Sequence, residues 1–209
     1  MDLKQADLTR ATLLRAAFCE IHRHGYQAAS IANILADTGL TKGALYHHFS
    51  TKKEMGLAVI DEVLRERLDE QIFAPLRRSA HPVETLLEII TTIDKDRDAD
   101  FILLGCPLNN LMQEMSSLDD AFKNRLNAVL ILWKDTIEDV FRRGQEQGVI
   151  RAEVDCQAVA MFVVSAWEGC AGTAKNFQSA EAFRGCMRQL HGFVSSLLVA
   201  AKPAKRKAA

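Results

Sequence analysis

The chain has 209 residues, enough for one long domain or for a small domain joined to a larger one. Hydrophobic residues make up 48% and charged residues 25%, which is typical of a globular protein with a sizeable core. With 11 glycines and 4 prolines, the composition excludes a collagen-like or disordered chain. An apolar run of about 18 residues is lacking, and so is a cleavable leader. We therefore expect no membrane partner and a cytoplasmic location.

The net charge of -1 conceals an uneven distribution along the chain. Residues 1–53 carry seven Lys/Arg against four Asp/Glu, together with four of the six histidines. Residues 54–201 carry 15 Lys/Arg against 23 Asp/Glu, and residues 202–209 add four positive charges. A basic amino-terminal segment on an acidic body indicates a polyanionic partner for one end of the molecule.

The five cysteines follow no metal-binding or disulfide pattern: they are Cys19, Cys106, Cys156, Cys170 and Cys186. Their number is odd, and no C-x-x-C pair occurs among them. We therefore expect a reducing compartment, in which most thiols act as small buried apolar groups.

Apolar residues recur at helical spacing along nearly the whole chain, which predicts an all-α protein of about nine helices. The first helix should end at Gly25. Ser30 is expected to cap a short helix that stops at Gly39, and Thr41 to cap a second one that reaches Phe49.

The sequence Thr51-Lys52-Lys53-Glu54 is typical of a capping box and should open a longer helix, with Pro75 beyond its end. Ser117 is expected to cap a later helix that Gly144 and Gly148 close. The predicted helices after Pro75 cover the ranges 82–104, 107–115, 118–144, 156–177 and 180–197.

The two short helices at residues 30–49 have the spacing of a helix-turn-helix. Leu45 and Phe49, four residues apart, would form the inner face of the second helix. Lys42, Tyr46 and His47 would then point outward. The alternative interpretation is a tight helical hairpin whose outer face only meets solvent.

Residues 11 to 58 resemble the DNA-binding domain of TetR-type transcriptional repressors. The resemblance is carried by the string TKGALYHHFSTKKE from Thr41 to Glu54, with Gly25-Tyr26 upstream. It implies a DNA-binding domain over residues 8–54. The residues that it implies for DNA contact are Ser30, Thr41, Lys42, Gly43, Tyr46, His47, His48 and Lys52.

Different roles are expected within this set. Ser30, Lys52 and the free N–H groups of the first turn after Thr41 would bind phosphates, which position a protein on DNA. Lys42 and His47 would contact base edges. Gly43 would let the helix backbone approach the groove closely.

Residues 55–201 are expected to form a helical domain for effector binding and dimerisation, followed by a disordered basic tail at 202–209. Relatives of this type pair through their last two long helices, which implies a homodimer on a pseudo-palindromic operator. The apolar run 158–167 agrees with this, although core packing also explains it. The predicted interface stripe is Phe183, Met187, Leu190, Val194 and Leu197.

The middle helices would enclose a cavity for a small-molecule effector. Its candidate lining residues are Phe101, Met112, Trp133, Phe162 and Trp167, with Asn109 and Glu168 as polar points. Each of them is equally compatible with ordinary core packing.

Cys106 would cap the helix that Pro107 opens, where the helix dipole can lower the pKa of a thiol. Its segment, G-C-x-x-x-N-L, is similar to one in a TetR subgroup of NemR-like and AcuR-like regulators. That resemblance implies a cysteine that senses electrophiles. The alternative is a cysteine that fills space between helices.

The resemblance to TetR-type repressors implies a ligand-responsive repressor that is associated with the nucleoid. The alternatives are a helical enzyme or metal-binding protein, and an adaptor that leaves residues 41–52 idle. Neither histidine pair, His22/His24 or His47/His48, has the i,i+4 spacing of two ligands on one helical face, and catalytic glycine or serine motifs are lacking. We therefore expect no enzyme activity, metal or cofactor.

Overall fold

The computed structural model describes residues 3–93 and 99–200. This part of the chain is helical apart from its loops and one isolated antiparallel bridge between Ile150 and Leu198. The all-α prediction is therefore confirmed. The predicted tail at 202–209 and the middle of the predicted helix 82–104 lie outside the described residues.

Ten helical segments are labelled here in chain order. They are α1 (Leu3–His24), α2 (Ile31–Thr38), α3 (Lys42–His48), α4 (Lys52 to Arg78), α5 (Pro82–Thr92), α6 (Ala99–Leu103), α7 (Pro107–Met115), α8 (Asp120–Glu146), α9 (Cys156–Phe177) and α10 (Ala180–Ser196).

The predicted ends of the two short helices are confirmed. The Ser30 hydroxyl accepts a hydrogen bond from the backbone N–H of Asn33 at 3.5 Å, and that of Thr41 accepts one from Ala44 at 3.2 Å. Gly39 ends α2 with φ of 66°, a left-handed conformation that glycine adopts without strain.

Helix α4 continues through Pro75, contrary to the prediction that it ends earlier. It contains two π-helical stretches, Val59–Leu64 and Asp69–Phe73. At the end of the second stretch, the N–H of Ala74 bonds to the carbonyl of Asp69, five residues back. Because the hydrogen-bond register is already widened there, the proline that follows fits without ending the helix.

Two other predicted boundaries also differ. Asp119, and not Ser117, caps α8, because its carboxylate accepts from the N–H groups of Ala121 and Phe122. Gly144 lies inside α8, where a Cβ would stand 2.6 Å from Val83 Cγ2 and 2.7 Å from Ile150 Cγ1. The glycine therefore serves close packing at this point.

The buried residues of both halves form one hydrophobic cluster that extends from Leu13 in α1 to Leu197 after α10. Helix α9 packs between α8 and α10, and α10 also contacts α5. Within the described ranges, no helix combines the length and apolarity that crossing a membrane requires.

Cys170 in α9 and Cys186 in α10 form a disulfide, contrary to the expectation of unpaired thiols. The two are 16 residues apart, and Gln178, which ends α9, lies midway between them. Because α9 and α10 form an antiparallel hairpin, positions equidistant from its turn face each other. Cys19, Cys106 and Cys156 are free thiols.

Candidate nucleic-acid interface and effector cavity

Most of the predicted DNA contacts are exposed on α3 and at its start: Thr41, Lys42, Gly43, Tyr46 and His47. On the inner face, Leu45 and Phe49 are buried, as predicted. The guanidinium carbon of Arg10 in α1 lies 5.0 Å from the centroid of the Phe49 ring. Helix α3 is therefore held from behind, and its polar face is open.

Gly43 has no structural role within the protein alone. A Cβ built at this position would meet only the Thr41 hydroxyl oxygen, at 3.8 Å, which is ordinary van der Waals contact. The free protein would therefore accept a side chain there.

His48 differs from the rest of the predicted set, because it is half-buried. Burial lowers its pKa, and the neighbouring charges of His47 and Arg10 lower it further. Its Nε2 is buried with no hydrogen-bond partner among the described residues. This placement favours a neutral packing role over a charged contact with DNA.

Ser30 is positioned by Glu20, a buried carboxylate in α1. Glu20 accepts from the Ser30 N–H at 2.9 Å and from the Asn33 side-chain amide at 3.0 Å. Burial raises the pKa of Glu20, but these hydrogen bonds and the charges of His24 and Arg23 outweigh it, so that the pKa lies below its usual value. An ionised Glu20 thus fixes the start of α2 on α1.

Lys52 lies at the start of α4, beside the turn that follows α1. Its ammonium group donates to the Gln27 carbonyl at 3.0 Å and stands 5.0 Å from the centroid of the Tyr26 ring. The neighbouring Lys53 forms an ion pair with Asp119 at 2.6 Å.

Two polar contacts join α1 and its turn to the carboxyl-terminal helices. The Glu114 carboxylate in α7 accepts from the backbone N–H groups of Tyr26 and Gln27, both at 2.8 Å. His22 Nε2 lies 2.8 Å from the Gly105 carbonyl oxygen, within hydrogen-bonding distance.

A cavity of about 30 Å³ lies between α4, α6, α7, α8 and α9, which is room for one or two water molecules. Among the predicted lining residues, Phe101, Cys106, Trp133 and Trp167 do line it. The Trp133 indole N–H is buried with no hydrogen-bond partner among the described residues.

Sequence reasoning missed the contribution of α4 to this cavity. Arg67 and Gln71 line it together with Leu64 and Leu68. The guanidinium of Arg67 lies 5.2 Å from the ring centroids of both Phe18 and Phe101. The spacing of these four residues could have indicated this, because residues three, four and seven positions apart lie on one face of a helix.

The other predicted effector contacts lie outside the cavity lining. Asn109 donates through its side-chain amide to the backbone carbonyl of Glu168 at 3.3 Å. Met112 packs half-buried against the core. Phe162 is 51% exposed on the outer face of α9, which contradicts its predicted place in the cavity.

The pKa of Cys106 is raised, contrary to the prediction. Cys106 stands at the N-cap position of α7, and the nearby backbone N–H groups of Asn109 and Leu108 act to lower its pKa. Burial and the negative charge of the adjacent Glu168 carboxylate outweigh them and place the pKa well above its usual value. The thiol is therefore protonated at neutral pH.

The predicted interface stripe on α10 is buried within its own chain. Its members, Phe183, Met187, Leu190, Val194 and Leu197, are 0–7% exposed, and Phe183 lines the cavity. In the single chain these side chains therefore pack the hydrophobic core. The outer faces of α9 and α10 instead present Met161, Phe162 and Phe193, and the Phe162 and Phe193 ring centroids are 4.7 Å apart.

No group of three or more His, Cys, Asp or Glu side chains within residues 6–93 and 101–200 could hold a metal ion.

Comparison with known proteins agrees with this architecture. Residues 13–59 match the bacterial regulatory proteins of the tetR family, and residues 82–190 match the tetracyclin repressor-like C-terminal domain. The transcriptional regulator AcuR of Cereibacter sphaeroides is 31% identical over 172 residues, which cover 81% of this chain and 78% of AcuR. The chain belongs to the TetR family of transcriptional regulators.

Solved structures show the same fold. A TetR transcriptional regulator from Chloroflexus aurantiacus is 26% identical, with a TM-score of 0.81 over 94% of this chain and 98% of that one. Reduced NemR of E. coli is 18% identical, with a TM-score of 0.75 over 91% of this chain and 97% of NemR. The protein is a DNA-binding regulator with a ligand-binding domain, and the enzyme and adaptor alternatives are set aside.

Proposed function

We propose that the protein is a dimeric repressor that binds a pseudo-palindromic operator and is released from it by a small-molecule effector. The observation that carries the proposal is the exposed polar face of α3, which includes a glycine that the free protein does not need. The DNA-binding domain comprises residues 8–54, and residues 55–201 bind the effector and the second protomer. Because the protein would act on operator DNA, we expect it to be associated with the nucleoid.

Each half of the operator receives one α3 in its major groove. Lys42 and His47 contact base edges, and Tyr46 contacts the backbone or a thymine methyl group. Ser30, Lys52 and the N–H groups after Thr41 bind phosphates.

The second protomer packs on the outer faces of α9 and α10. Met161 and Phe162 are 53% and 51% exposed there, and Phe193 extends the same apolar patch. Large exposed apolar side chains that cluster in this way mark an interaction surface. A Phe162→Glu variant should elute as a monomer in size-exclusion chromatography with light scattering. Phe177→Glu is the control, because Phe177 at the end of α9 is even more exposed, at 67%, and this variant should remain dimeric.

The effector enters the cavity that Arg67, Trp133 and Cys106 line. Arg67 offers a guanidinium, Trp133 a buried indole N–H and Cys106 a protonated thiol, so the site suits a small molecule with a hydrogen-bond acceptor. Because the closed cavity holds only about 30 Å³, binding must widen it. That conformational change is the source of coupling to DNA, for which about 1–3 kcal/mol suffices.

The NemR-like and AcuR-like resemblance around Cys106 supports an effector of the carbonyl or unsaturated-acid type. A raised thiol pKa favours non-covalent binding over covalent capture of an electrophile. Intact mass measured after effector treatment separates the two, because only capture adds mass.

Selection of bound sites from random duplex DNA tests the proposal. We expect an enriched inverted repeat that Lys42→Ala and His47→Ala variants bind at least tenfold more weakly. Equal, salt-sensitive affinity for every duplex would refute it.

A further inference from the structure

The turn between α1 and α2 is held by a carboxylate from the other half of the molecule. Gly25 leaves α1 with φ of 81°, and the next two backbone N–H groups, of Tyr26 and Gln27, both donate to Glu114 at 2.8 Å. A Cβ at Gly25 would stand 2.9 Å from a Glu114 oxygen, so the glycine allows this approach. Hydrogen bonds to an ionised acceptor are stronger than neutral ones.

The same turn positions Lys52. The Gln27 carbonyl accepts from the Lys52 ammonium at 3.0 Å, and the Tyr26 ring lies beneath that ammonium at 5.0 Å. Both groups that hold Lys52 thus belong to the two residues whose N–H groups Glu114 binds.

Tyr26 cannot shift freely within this arrangement. Its ring packs 4.5 Å from the Phe122 ring of α8 and lies so close to Gly56 of α4 that a Cβ there would stand 2.6 Å from it. Burial, together with the negative charges of Asp119 and Glu114, raises the pKa of Tyr26. The turn is therefore fixed by contacts from α4, α7 and α8.

Glu114 is also connected to the effector cavity through its own helix. Cys106 and Pro107, which line the cavity, stand at the start of α7, and Glu114 follows Pro107 by about two helical turns. A nine-residue helix moves as a rigid unit, so a displacement at the cavity reaches Glu114.

We propose that Glu114 is a positioning residue for DNA binding: its carboxylate fixes the Tyr26–Gln27 turn, and the turn sets the Lys52 ammonium for contact with a DNA phosphate. The inference rests on the proposed function as a DNA-binding repressor. Glu114 itself touches no DNA. It acts through the turn, and its helix links that turn to the cavity wall.

The test compares Glu114→Gln, Lys52→Gln and the double variant in the full-length protein. Affinity for the selected operator is measured by fluorescence anisotropy over a range of salt concentrations. Removing a negative charge should by itself strengthen DNA binding. The proposal predicts the opposite: Glu114→Gln weakens binding three- to tenfold and reduces the salt slope by about 0.9, the value of one lost phosphate contact.

The double variant shows whether the two residues act together. We expect it to bind no more weakly than Lys52→Gln alone, because Glu114 acts through Lys52. Asp61→Asn, which removes a carboxylate that pairs with Arg125 and is remote from the turn, is the charge-matched control and should leave the salt slope unchanged. The proposal is overturned if the affinity losses of the two single variants add up in the double variant. It is also overturned if the salt slope of Glu114→Gln equals that of the wild type.

A second measurement does not depend on the operator. In Glu114→Gln, amide hydrogen exchange at Tyr26 and Gln27 should be faster, while that of α8 is unchanged. If the wild type enriches no site, the repressor function fails. The salt slopes on a random duplex, compared between wild type and Glu114→Gln, still support or overturn the role of Glu114.

Discussion

Replacement of Gly43 by alanine separates folding from DNA recognition. The added methyl group would meet only the Thr41 hydroxyl oxygen, at 3.8 Å, and Gly43 lies within a helix, where alanine is favoured by about 0.5–1 kcal/mol. We therefore expect the free energy of unfolding of Gly43→Ala to be unchanged or up to ~1 kcal/mol higher in urea denaturation.

The same variant should bind its operator at least tenfold more weakly. A methyl group between the first turn of α3 and the DNA backbone moves the N–H donors of that turn away from the phosphate, and one hydrogen bond to a charged group is worth about 1.5–3 kcal/mol. Fluorescence anisotropy with the selected operator measures the loss.

Gly39→Ala is the matched control. An added Cβ at Gly39 would meet no atom within 4 Å, but the φ of 66° at this position disfavours any side chain. We therefore expect Gly39→Ala to lower the free energy of unfolding by about 1–2 kcal/mol. Wild-type operator affinity in Gly43→Ala, or a loss of stability equal to that of Gly39→Ala, would refute the placement of α3 against DNA.

Three further predictions concern the carboxyl-terminal domain and its junction with α1. Cys186→Ser, or a dithiol reductant, should lower the free energy of unfolding by about 3 kcal/mol, since the bond closes a loop of 16 residues; coincident urea curves with and without reductant would contradict this. Iodoacetamide at neutral pH should label the exposed Cys19 much faster than the half-buried Cys106, because the raised pKa of Cys106 leaves little thiolate at that pH; equal labelling rates would contradict the raised pKa. Gly56→Ala should cost about 1–3 kcal/mol, because its methyl group would lie 2.6 Å from the Tyr26 ring; an unchanged melting temperature would show that the ring can move.

The helix-turn-helix was predictable because its determinants are local. Ser30 and Thr41 each accept a hydrogen bond from an N–H three residues ahead, and Gly39 supplies a conformation that few other residues adopt. Such rules need no knowledge of the rest of the fold. The buried face of α3 could be predicted in the same way, because Leu45 and Phe49 lie one helical turn apart and therefore on the same side of the helix.

The stripe on α10 is buried within its own chain, which the sequence alone could not reveal because an apolar stripe does not show what covers it. The Phe183 to Leu197 stripe has the periodicity of any buried helix face, whether its cover is the same chain or a second copy. The informative residues were Met161 and Phe162, which follow one another in α9 and cannot both face inward with Val163. The core covers only one face of this apolar run, and we propose that a second protomer covers the other.

At Cys106, the predicted effect of the helix N-terminus on the thiol pKa is present but is outweighed by tertiary structure. Its place before α7 was predicted, and the helix N–H groups do act to lower the thiol pKa. Burial is the larger opposing effect, and the charge of Glu168 in α9, which is far away in sequence, adds to it; together they raise the pKa. In the effector site that we propose, a protonated thiol offers a hydrogen-bond donor beside a carboxylate. We therefore expect an effector that binds there to bring a hydrogen-bond acceptor.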